Sequence, residues 1–492
     1  MAETLKEQAA EAESIAFDDF SSLIQRDFKP KNDESRDKIQ AAVATLAQQA
    51  LEDATTISDD VFSTVDAMVH EIDKKLSKQL NAIMHHKDFQ ELESAWRGLD
   101  YLVSNSESGK DLKIRVMNVS HSELSKMFRQ YRGAAFDQSP LFKKIYENEF
   151  GQLGGAPYGS IVCDYHFDHS SVDLNVMQGL AKIGAAAHAP VIAAADSNLL
   201  NMDSWMEVSD PRDLANRFTT TDHAAWNTFR ESDDSKYLAL TMPRILGRAI
   251  YDAKDNPIDE FEYTEVTNGE HDKHLWINSS YAMGVRVNSA FREYGWCTRI
   301  RGVESGGTVE DLPIAKFETD DGGVDMKCPT EVAISDRREA ELASLGLMPL
   351  IHRKNTSKAT FIGAQTVHKP AAYDNPDATA NAKLASRLPY IFASCRFAHY
   401  LKCMVRDWVG SSREGPQLEA DLSDWVHQYV TADPDSASEE TKARLPLKRA
   451  EVKVFPDPEN PGYYKSRFLF VPHHQLEGID VSVSMVSQLP KS

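Results

Sequence analysis

The chain contains 492 residues, of which 41% are hydrophobic and 26% charged, as in an ordinary soluble globular protein of several domains. Its formal net charge of −21 argues against nucleic acid as a partner, because binding to a phosphate backbone needs a basic surface. No run of about 18 apolar residues predicts insertion into a membrane, the acidic start is unlike a secretory signal, and five cysteines without a CxxC pair indicate reduced thiols in the cytoplasm.

Residues 1–56 are predicted to form an acidic, partly disordered N-terminal arm. The first 60 residues carry fourteen acidic and six basic side chains, which gives this part of the chain a net charge of −8. A solvated, flexible tail is the simplest interpretation of such a composition.

Residues 57–150 are predicted to be a helical region that contains one strand, at 112–119. Ser58, which precedes two aspartates, is a suitable cap for the first helix. Apolar residues then recur at steps of three and four over about seven turns, which is typical of a helix that packs on another helix. This stripe consists of Val61, Val65, Met68, Val69, Ile72, Leu76, Leu80 and Ile83.

Residues 151–370 are predicted to form an α/β body, because strands and helices alternate there as they do in a parallel sheet with crossover helices. The polar and acidic stretch 251–275 interrupts this rhythm and is interpreted as a surface insertion. The predicted strands are 159–165, 190–195, 236–242, 313–317, 329–334 and 359–367, and the main helices are 172–187, 278–293 and 336–345.

Residues 371–492 are predicted to form a C-terminal domain that contains a long helix over 389–409. One face of this helix is apolar, and the other carries a basic stripe of Arg396, His399, Lys402 and Arg406. On a strongly acidic chain such a stripe could complement an acidic patch on a partner. A solvated helix face that pairs with nearby carboxylates is an equally good interpretation.

Two strands are predicted at the end of the chain, at 466–472 and 479–487. The first places Phe468 and Phe470 on one side. The second shows the period-2 alternation of a half-buried strand, with four apolar residues on one side: Ile479, Val481, Val483 and Met485. A strand at a chain end needs a partner for its backbone groups, so these two raise the question of which sheet they complete.

The loop 296–313, "WCTRIRGVESGGTVEDLP", most resembles an active site, since it combines a thiol, two arginines, a carboxylate and a hydroxyl. It lacks the patterns of a phosphate-binding loop and of a nucleophile elbow. A tight, ion-paired structural loop is therefore favoured, with a hydrolase or transferase of the α/β class as the alternative. No spacing in the chain predicts a metal ion or a cofactor.

Several long runs of the sequence resemble the large subunit of the type VI secretion contractile sheath, a family related to the contractile phage tail sheath proteins. The resemblance spans roughly residues 57–490. The runs that carry it are "HHKDFQELESAWRGLDYLV", "GWCTRIRGVESGG", "TDDGGVDMKCPTEVAISDRREAELASLGLMPLIHRKN", "FIGAQTVHKP", "LPYIFASCRFAHYLKCMVRDWVG" and "NPGYYKSRFLFVPHHQLEGIDVSVSMVS".

The resemblance implies a non-catalytic part of a secretion machine, with a mixed α/β fold of central mixed sheets and flanking helices. It implies heterodimers with a small sheath subunit, polymerised in the cytoplasm around a tube of hexameric rings that starts at a baseplate. It also implies contraction of the sheath and its dismantling by an AAA+ ATPase, without a cofactor.

The resemblance also suggests a role for three elements of the chain. The stripe from Val61 to Ile83 is the candidate interface for the small subunit, with Val61, Val65, Met68, Ile72, Leu76 and Leu80 as its candidate residues. The basic stripe of the helix 389–409 is the candidate contact with the inner tube. The terminal strands 466–472 and 479–487 are candidates for a sheet shared between neighbouring protomers.

Overall fold

The structure is a computed structural model, and it describes residues 38, 41, 61–209, 213–252, 256–259, 261–318, 323–408, 413–456 and 464–473. Most of the acidic arm 1–56 and the predicted strand 479–487 lie outside the described residues. The α-helices of eight residues or more are α1 Val61–Met84, α2 Lys87–Ser104, α3 His121–Gln130, α4 Ser171–Ala187, α5 Ala224–Glu231, α6 Ser279–Tyr294, α7 Asp336–Ser344, α8 Pro376–Ala385, α9 Leu388–Trp408 and α10 Gly415–His427.

The shorter helical segments connect these elements. A single α-helical turn, Pro140–Phe142, leads into a π-helix, Lys143–Gly151, and the helix α11 Glu439–Arg444 lies close to the C-terminus. The 3₁₀ segments are Gly133–Gln138, Ser197–Leu200, Trp205–Ser209, Ala215–Thr219, Thr221–His223, Asp234–Tyr237 and His271–Lys273.

The described strands form one central sheet and three two-stranded sheets. They are β1 Ile161–Phe167, β2 Val191–Ala195, β3 Leu238–Met242, β4 Ile245–Leu246, β5 Trp276–Ile277, β6 Thr308–Val309, β7 Ala315–Glu318, β8 Val324–Lys327, β9 Leu347–His352, β10 Ala359–Phe361, β11 Leu447–Pro456 and β12 Tyr464–Pro472. The central sheet has the order β1-β2-β3-β9-β10-β6. Its first four strands are parallel, and β10 and β6 extend it in the antiparallel sense. The predicted mixed α/β fold, a central sheet with flanking helices, is confirmed.

Both faces of the central sheet are buried, which is why its strands read as continuous apolar runs in the sequence. Successive residues of β2 point to opposite faces, so that Ala193 joins one buried cluster with α4, and Ile192 joins another with α6. Local capping fixes both helices. Ser170 accepts a hydrogen bond from the Asp173 amide at the start of α4, and Asn278 accepts one from the Ser280 amide at the start of α6.

Three of the predicted strands differ from the observed structure. Residues 112–119 belong to no strand among the described residues. The predicted strand 329–334 contributes only an isolated bridge from Thr330, and β8 lies before it. The predicted strand 359–367 ends at Phe361, because the backbone beyond it bonds elsewhere: Ala364 accepts from the Leu388 amide.

Contacts between Cα atoms divide the chain into two compact units. One comprises Met1–Gln90 with Ile250–His274, and the other comprises Glu91–Ala249 with Leu275–Ser492. The stretch that was interpreted as a surface insertion therefore belongs to the same unit as α1. The domain boundaries predicted near residues 56, 150 and 370 stay a prediction.

Candidate functional site

Helix α9 carries the predicted basic stripe, and its opposite face builds the core of the C-terminal part. Phe397 and Leu401 are buried there with residues of α10 and β11. The ring of Phe397 stacks on Trp296 at 4.4 Å between centroids and on Phe470 at 4.9 Å. Aromatic pairs at these distances add to the stabilisation that burial alone supplies, so α9 is anchored firmly by its apolar face.

His399, one of the four candidates for tube contact, is a buried residue in this chain. Only 2% of its surface is exposed, and its Nε2 atom lies 2.8 Å from the carbonyl oxygen of Ala187 at the end of α4. Burial lowers the pKa of His399 to about 4, so the ring is neutral at physiological pH. A neutral buried ring holds α9 against α4 and offers no surface charge.

The other three basic side chains of α9 also contact their own chain. Arg396 lies over the ring of Tyr400, with its guanidinium carbon 4.5 Å from the ring centroid. Lys402 places its ammonium 3.7 Å from the centroid of Phe150, and Arg406 donates to the carbonyl oxygen of Gln152 at 2.7 Å. Lys402 and Arg406 therefore hold the end of the π-helix through cation–π and hydrogen-bond contacts. Contact with a tube is not tested by a single chain and stays a prediction.

Helix α1 confirms the predicted first long helix and leaves its apolar stripe uncovered within the described residues. Val69, Leu76 and Ile83 are 50%, 36% and 53% exposed. Ile72 and Leu80 are half-buried, and the side chains of Val61, Val65 and Met68 lie outside the described part of the structure. Exposed apolar residues spaced seven apart form a continuous line along one helix face, which is typical of a helix that packs against another chain.

The opposite face of α1 is occupied by the segment 250–274 of the same unit. The Asn81 side chain donates to the Thr264 carbonyl at 3.3 Å and accepts from the Tyr263 hydroxyl and the Val266 amide, both at 3.1 Å. One turn later, His85 lies 3.2 Å from the Glu265 carboxylate. At about 100° per residue, the face that holds this segment lies roughly 160° from the exposed stripe. The segment therefore supports α1 from behind and leaves its apolar line free.

The C-terminal strand β12 pairs with β11 of the same chain over its whole length. The register runs from Pro456 opposite Tyr464 to Leu447 opposite Pro472. Phe468 and Phe470 face the C-terminal core and pack against it. The other four candidates for a shared sheet, Ile479, Val481, Val483 and Met485, lie outside the described residues.

The two outer edges of the β11–β12 pair differ. The Val454 amide on β11 points away from β12 and donates to the Glu419 carboxylate of α10 at 2.7 Å. In an antiparallel ladder, the residue opposite an outward-pointing amide is outward-pointing too, so the Ser466 amide faces away from β11. No strand of the described residues covers that side of β12, which leaves it as an open edge.

The loop 296–313 is built as a structural turn. The Gly302 amide donates to the Phe361 carbonyl at 2.7 Å, and the Phe361 amide donates to the Gly307 carbonyl at 3.0 Å. Gly306 has φ of 85°, and an added Cβ would lie 2.4 Å from the Arg299 carbonyl oxygen, so only glycine fits. Burial raises the pKa of Cys297 to about 12, which keeps its thiol protonated and unreactive. These features favour the structural interpretation of the loop.

Among the described residues, no group of three or more His, Cys, Asp or Glu side chains could hold a metal ion. Within the same residues, none of the helices combines the length and the apolar character that crossing a membrane requires.

Sequence reasoning missed two features of these surfaces. The π-helix Lys143–Gly151 provides the rings and carbonyls that receive the basic stripe, and no pattern in its sequence distinguishes it from an α-helix. The second feature is the role of Asn81 in holding the segment 250–274. A polar residue on the polar face of an amphipathic helix gives no signal of its own.

The exposed apolar line of α1 and the open backbone edge of β12 are surfaces of the kind through which subunits join an assembly. Two family descriptions match the chain. "EvpB/VC_A0108, tail sheath N-terminal domain" covers residues 66–368, and "EvpB/VC_A0108, tail sheath gpW/gp25-like domain" covers residues 377–489.

A curated relative matches over the full length. The type VI secretion system sheath protein TssC1 of Pseudomonas aeruginosa is 54% identical over 495 aligned positions, which cover 100% of this chain and 99% of the relative. The chain therefore belongs to the EvpB/VC_A0108 family of type VI secretion tail sheath proteins, as its sequence motifs predict.

Two solved structures of the anti-feeding prophage are more distant. Its baseplate gives a TM-score of 0.39 at 12% identity, covering 79% of this chain and 86% of the other. Its contracted helical sheath gives a TM-score of 0.33 at 12% identity, covering 78% and 85%.

Proposed function

We propose that this chain is the large structural subunit of a type VI secretion contractile sheath in the cytoplasm. It pairs with a small sheath subunit, and the heterodimers polymerise helically from a baseplate around a tube of hexameric rings. Contraction of the sheath propels the tube, and an AAA+ ATPase then recycles the subunits. The observation that carries this proposal is the 54% identity to a sheath protein over the whole chain.

The proposed interface for the small subunit is the apolar stripe of α1. Its exposed members Val69, Leu76 and Ile83 lie along one line of the helix. A second amphipathic helix laid along this line would remove apolar surface from water at about 25 cal/mol per Å². The segment 250–274 supports this role, because its hydrogen bonds to Asn81 hold α1 from the opposite side.

The proposed links between neighbouring protomers are the terminal strands. The open edge of β12, where the Ser466 amide points outward, offers backbone groups that a strand of a neighbouring copy can bond. The predicted strand 479–487 is the segment we propose for that role. Sheet completion of this kind supplies directional main-chain hydrogen bonds, and alternate side chains set the register.

The proposed tube-facing element is α9 with its basic residues Arg396, His399, Lys402 and Arg406. In this chain Lys402 and Arg406 contact the π-helix and the residue after it, Arg396 lies over Tyr400, and the neutral ring of His399 contacts the end of α4. Contact with a tube would therefore involve either the outer parts of Arg396 and Arg406 or a rearrangement of α9.

The proposal requires no nucleotide site or catalytic residue in this chain. A contractile polymer stores free energy in its extended form and releases it as the interfaces rearrange. A difference of about 1–2 kcal/mol per protomer, typical of coupling between sites, becomes large over hundreds of copies. The proposed domain division at residues 56, 150 and 370 would separate the arm, the helical region, the body and the C-terminal domain.

Co-expression with the small sheath subunit, followed by negative-stain electron microscopy, tests the proposal. We expect hollow, ribbed tubules that need both chains. The result that would overturn the proposal is a stable, monomeric chain that neither captures the small subunit nor forms tubules with it.

A further inference from the structure

Residues 113–118 form an extended segment whose backbone has no partner in the described part of the chain. The sequence "LKIRVMNV" predicts a strand at 112–119, but the structure pairs this segment with no other strand. Among the described residues, no backbone N–H or C=O group of residues 113–118 takes part in a hydrogen bond. Most of these residues are exposed, so water satisfies their backbone groups in the single chain and the edge is open to a partner strand.

The segment is held in place at both of its ends. The Leu112 carbonyl accepts from the Gly109 amide at 2.8 Å, and the Val119 carbonyl accepts from the Tyr165 hydroxyl. Between them, Ile114 packs against a small buried cluster, Leu102, Tyr281 and Val285. These anchors fix the backbone before any partner arrives, which lowers the entropy cost of docking.

Arg115 adds a further anchor close to the middle of the segment. Its guanidinium donates to the Glu149 carboxylate and to the Tyr158 hydroxyl, the latter at 3.1 Å. The side chain is thus directed toward the body of its own unit. The adjacent part of the segment carries the exposed apolar residues.

Val116 and Met117 are exposed by 66% and 48%. Because successive side chains of an extended chain point to opposite faces, these two residues expose apolar surface on both sides of the segment. A bare backbone edge with apolar groups above and below it is the geometry that accepts an added β-strand.

We propose that residues 113–118 are a docking edge for a β-strand of a second, different polypeptide, one that is apolar on both of its faces. The proposal rests on the proposed function, in which this chain works together with a second kind of subunit. It deepens that function by assigning a main-chain contact in addition to the helix stripe of α1.

The chain's own C-terminal segment is a poorer occupant. Residues 479–487 are apolar on one side, but the other side carries Asp480, Ser482 and Ser484. Placed beside Val116 and Met117, that polar side would face one of the two exposed apolar groups. A strand that is apolar on both faces covers both.

Hydrogen–deuterium exchange on the complex with the small subunit tests the occupant. In the unpolymerised complex, we expect the amides of residues 113–118 that face the new strand to exchange at least ~100-fold more slowly than free extended backbone. Fast exchange in the complex overturns the proposal. Protection that appears only in polymers overturns it too, because the strand would then come from a neighbouring copy.

Proline variants supply the second readout. Successive amides of an extended chain point to opposite edges, so only one of Val116 and Met117 donates to the docking strand. We expect one of the variants Val116→Pro and Met117→Pro to reduce capture of the small subunit at least ~10-fold, and the other to retain it. The control Val116→Thr keeps the amide and should retain capture.

Equal capture by both proline variants and the wild type overturns the docking edge. Equal loss in both overturns it as well, because that result indicates a general disruption of the segment. If tubules still form while the amides of residues 113–118 exchange fast, the inference fails and the proposed function stands. If neither capture nor tubules are observed for the wild type, the proposed function itself fails.

Discussion

The Nε2 atom of His399 on α9 lies 2.8 Å from the carbonyl oxygen of Ala187, the last residue of α4. This contact joins the C-terminal helix to a helix that covers the central sheet. Phe150 of the π-helix lies edge-on to the same imidazole at 5.3 Å between centroids. The contact is formed by a neutral imidazole, because burial lowers the pKa of His399 to about 4.

This buried imidazole predicts that the chain loses stability on mild acidification. The pKa of His399 in the folded chain is about 4, whereas an exposed histidine titrates near ~6.5. The unfolded chain therefore binds the proton first as the pH falls. The stability that neutral His399 contributes is complete above about pH 6.5 and is lost as the pH falls toward about 4.

The variant His399→Gln isolates this effect, since its amide can still donate to the Ala187 carbonyl but does not titrate. Between about pH 7.5 and about pH 5, we expect the wild type to lose about 2 kcal/mol more than the variant. Urea-unfolding midpoints at the two pH values measure the difference. Equal pH sensitivity of the two proteins would contradict the assignment.

The sequence predicted the helices and the buried strands well, because each is determined by local pattern and burial. The run Val191–Ala195 is buried on both faces and reads as continuously apolar. Helix α9 begins and ends within one residue of its predicted bounds, 389–409. In both cases the periodicity of one short segment contains the information that is needed.

What a polar surface touches could not be predicted in the same way. Lys402 and Arg406 of α9 face a ring and carbonyls at the end of the π-helix, and a helical wheel does not distinguish such a partner from water. Strand β11 was missed because its charges, such as Arg449 and Lys453, obscure the alternation of Ala450 with Val452. The docking of 250–274 on α1 depends on hydrogen bonds to one side chain, Asn81.

The contacts of Arg406 predict that this residue stabilises the π-helix from within the chain. It donates to the carbonyls of Gln152 at 2.7 Å and Phe150 at 3.4 Å. We expect Arg406→Glu to lower the urea midpoint of unfolding and to speed proteolysis near residues 150–156, because a carboxylate would meet those two carbonyl oxygens. The control Asp407→Asn alters an exposed neighbour and should leave both measurements unchanged. A variant that unfolds normally but fails to assemble on the tube would instead assign Arg406 to the tube interface.

The exposed stripe of α1 predicts that charged substitutions within it prevent assembly with the small subunit and leave the folding of the chain intact. Leu76→Asp combined with Ile83→Asp should abolish capture of the small subunit in pull-down assays, because both side chains would carry charge into an apolar contact. The chain itself should keep its stability within about 0.5 kcal/mol, since both positions are exposed. Lys78→Gln changes the opposite face, which borders the segment 250–274, without adding a carboxylate beside Glu262; it is the control and should retain capture. Retained capture by the double variant would exclude the stripe as the interface.

Asn81 predicts how firmly the segment 250–274 is held. Replacing Asn81 with Ala removes its side-chain hydrogen bonds with Tyr263, Val266 and Thr264, each worth about 0.5–1.5 kcal/mol. We expect faster proteolysis and faster amide exchange within 250–274, while the central sheet stays protected. Asn81→Asp keeps the acceptor and loses only the donor toward the Thr264 carbonyl, so its effect should be smaller. An unchanged exchange pattern in Asn81→Ala would show that other contacts hold the segment.

The open edge of β12 predicts opposite results for proline at two adjacent positions. The Ser466 amide points away from β11, so Ser466→Pro removes no hydrogen bond within the pair and leaves the chain able to capture the small subunit. The Arg467 amide points toward Lys453 on β11, so Arg467→Pro removes a ladder bond and lowers the stability of the C-terminal part. If neighbouring copies pair along β12, Ser466→Pro permits heterodimers and prevents long tubules, which electron microscopy would show as short or absent sheaths.

Deleting residues 476–492 should give the same phenotype, because it removes the strand that we propose as the partner of that edge. Long, intact tubules from both Ser466→Pro and the deletion would show that protomers are linked elsewhere.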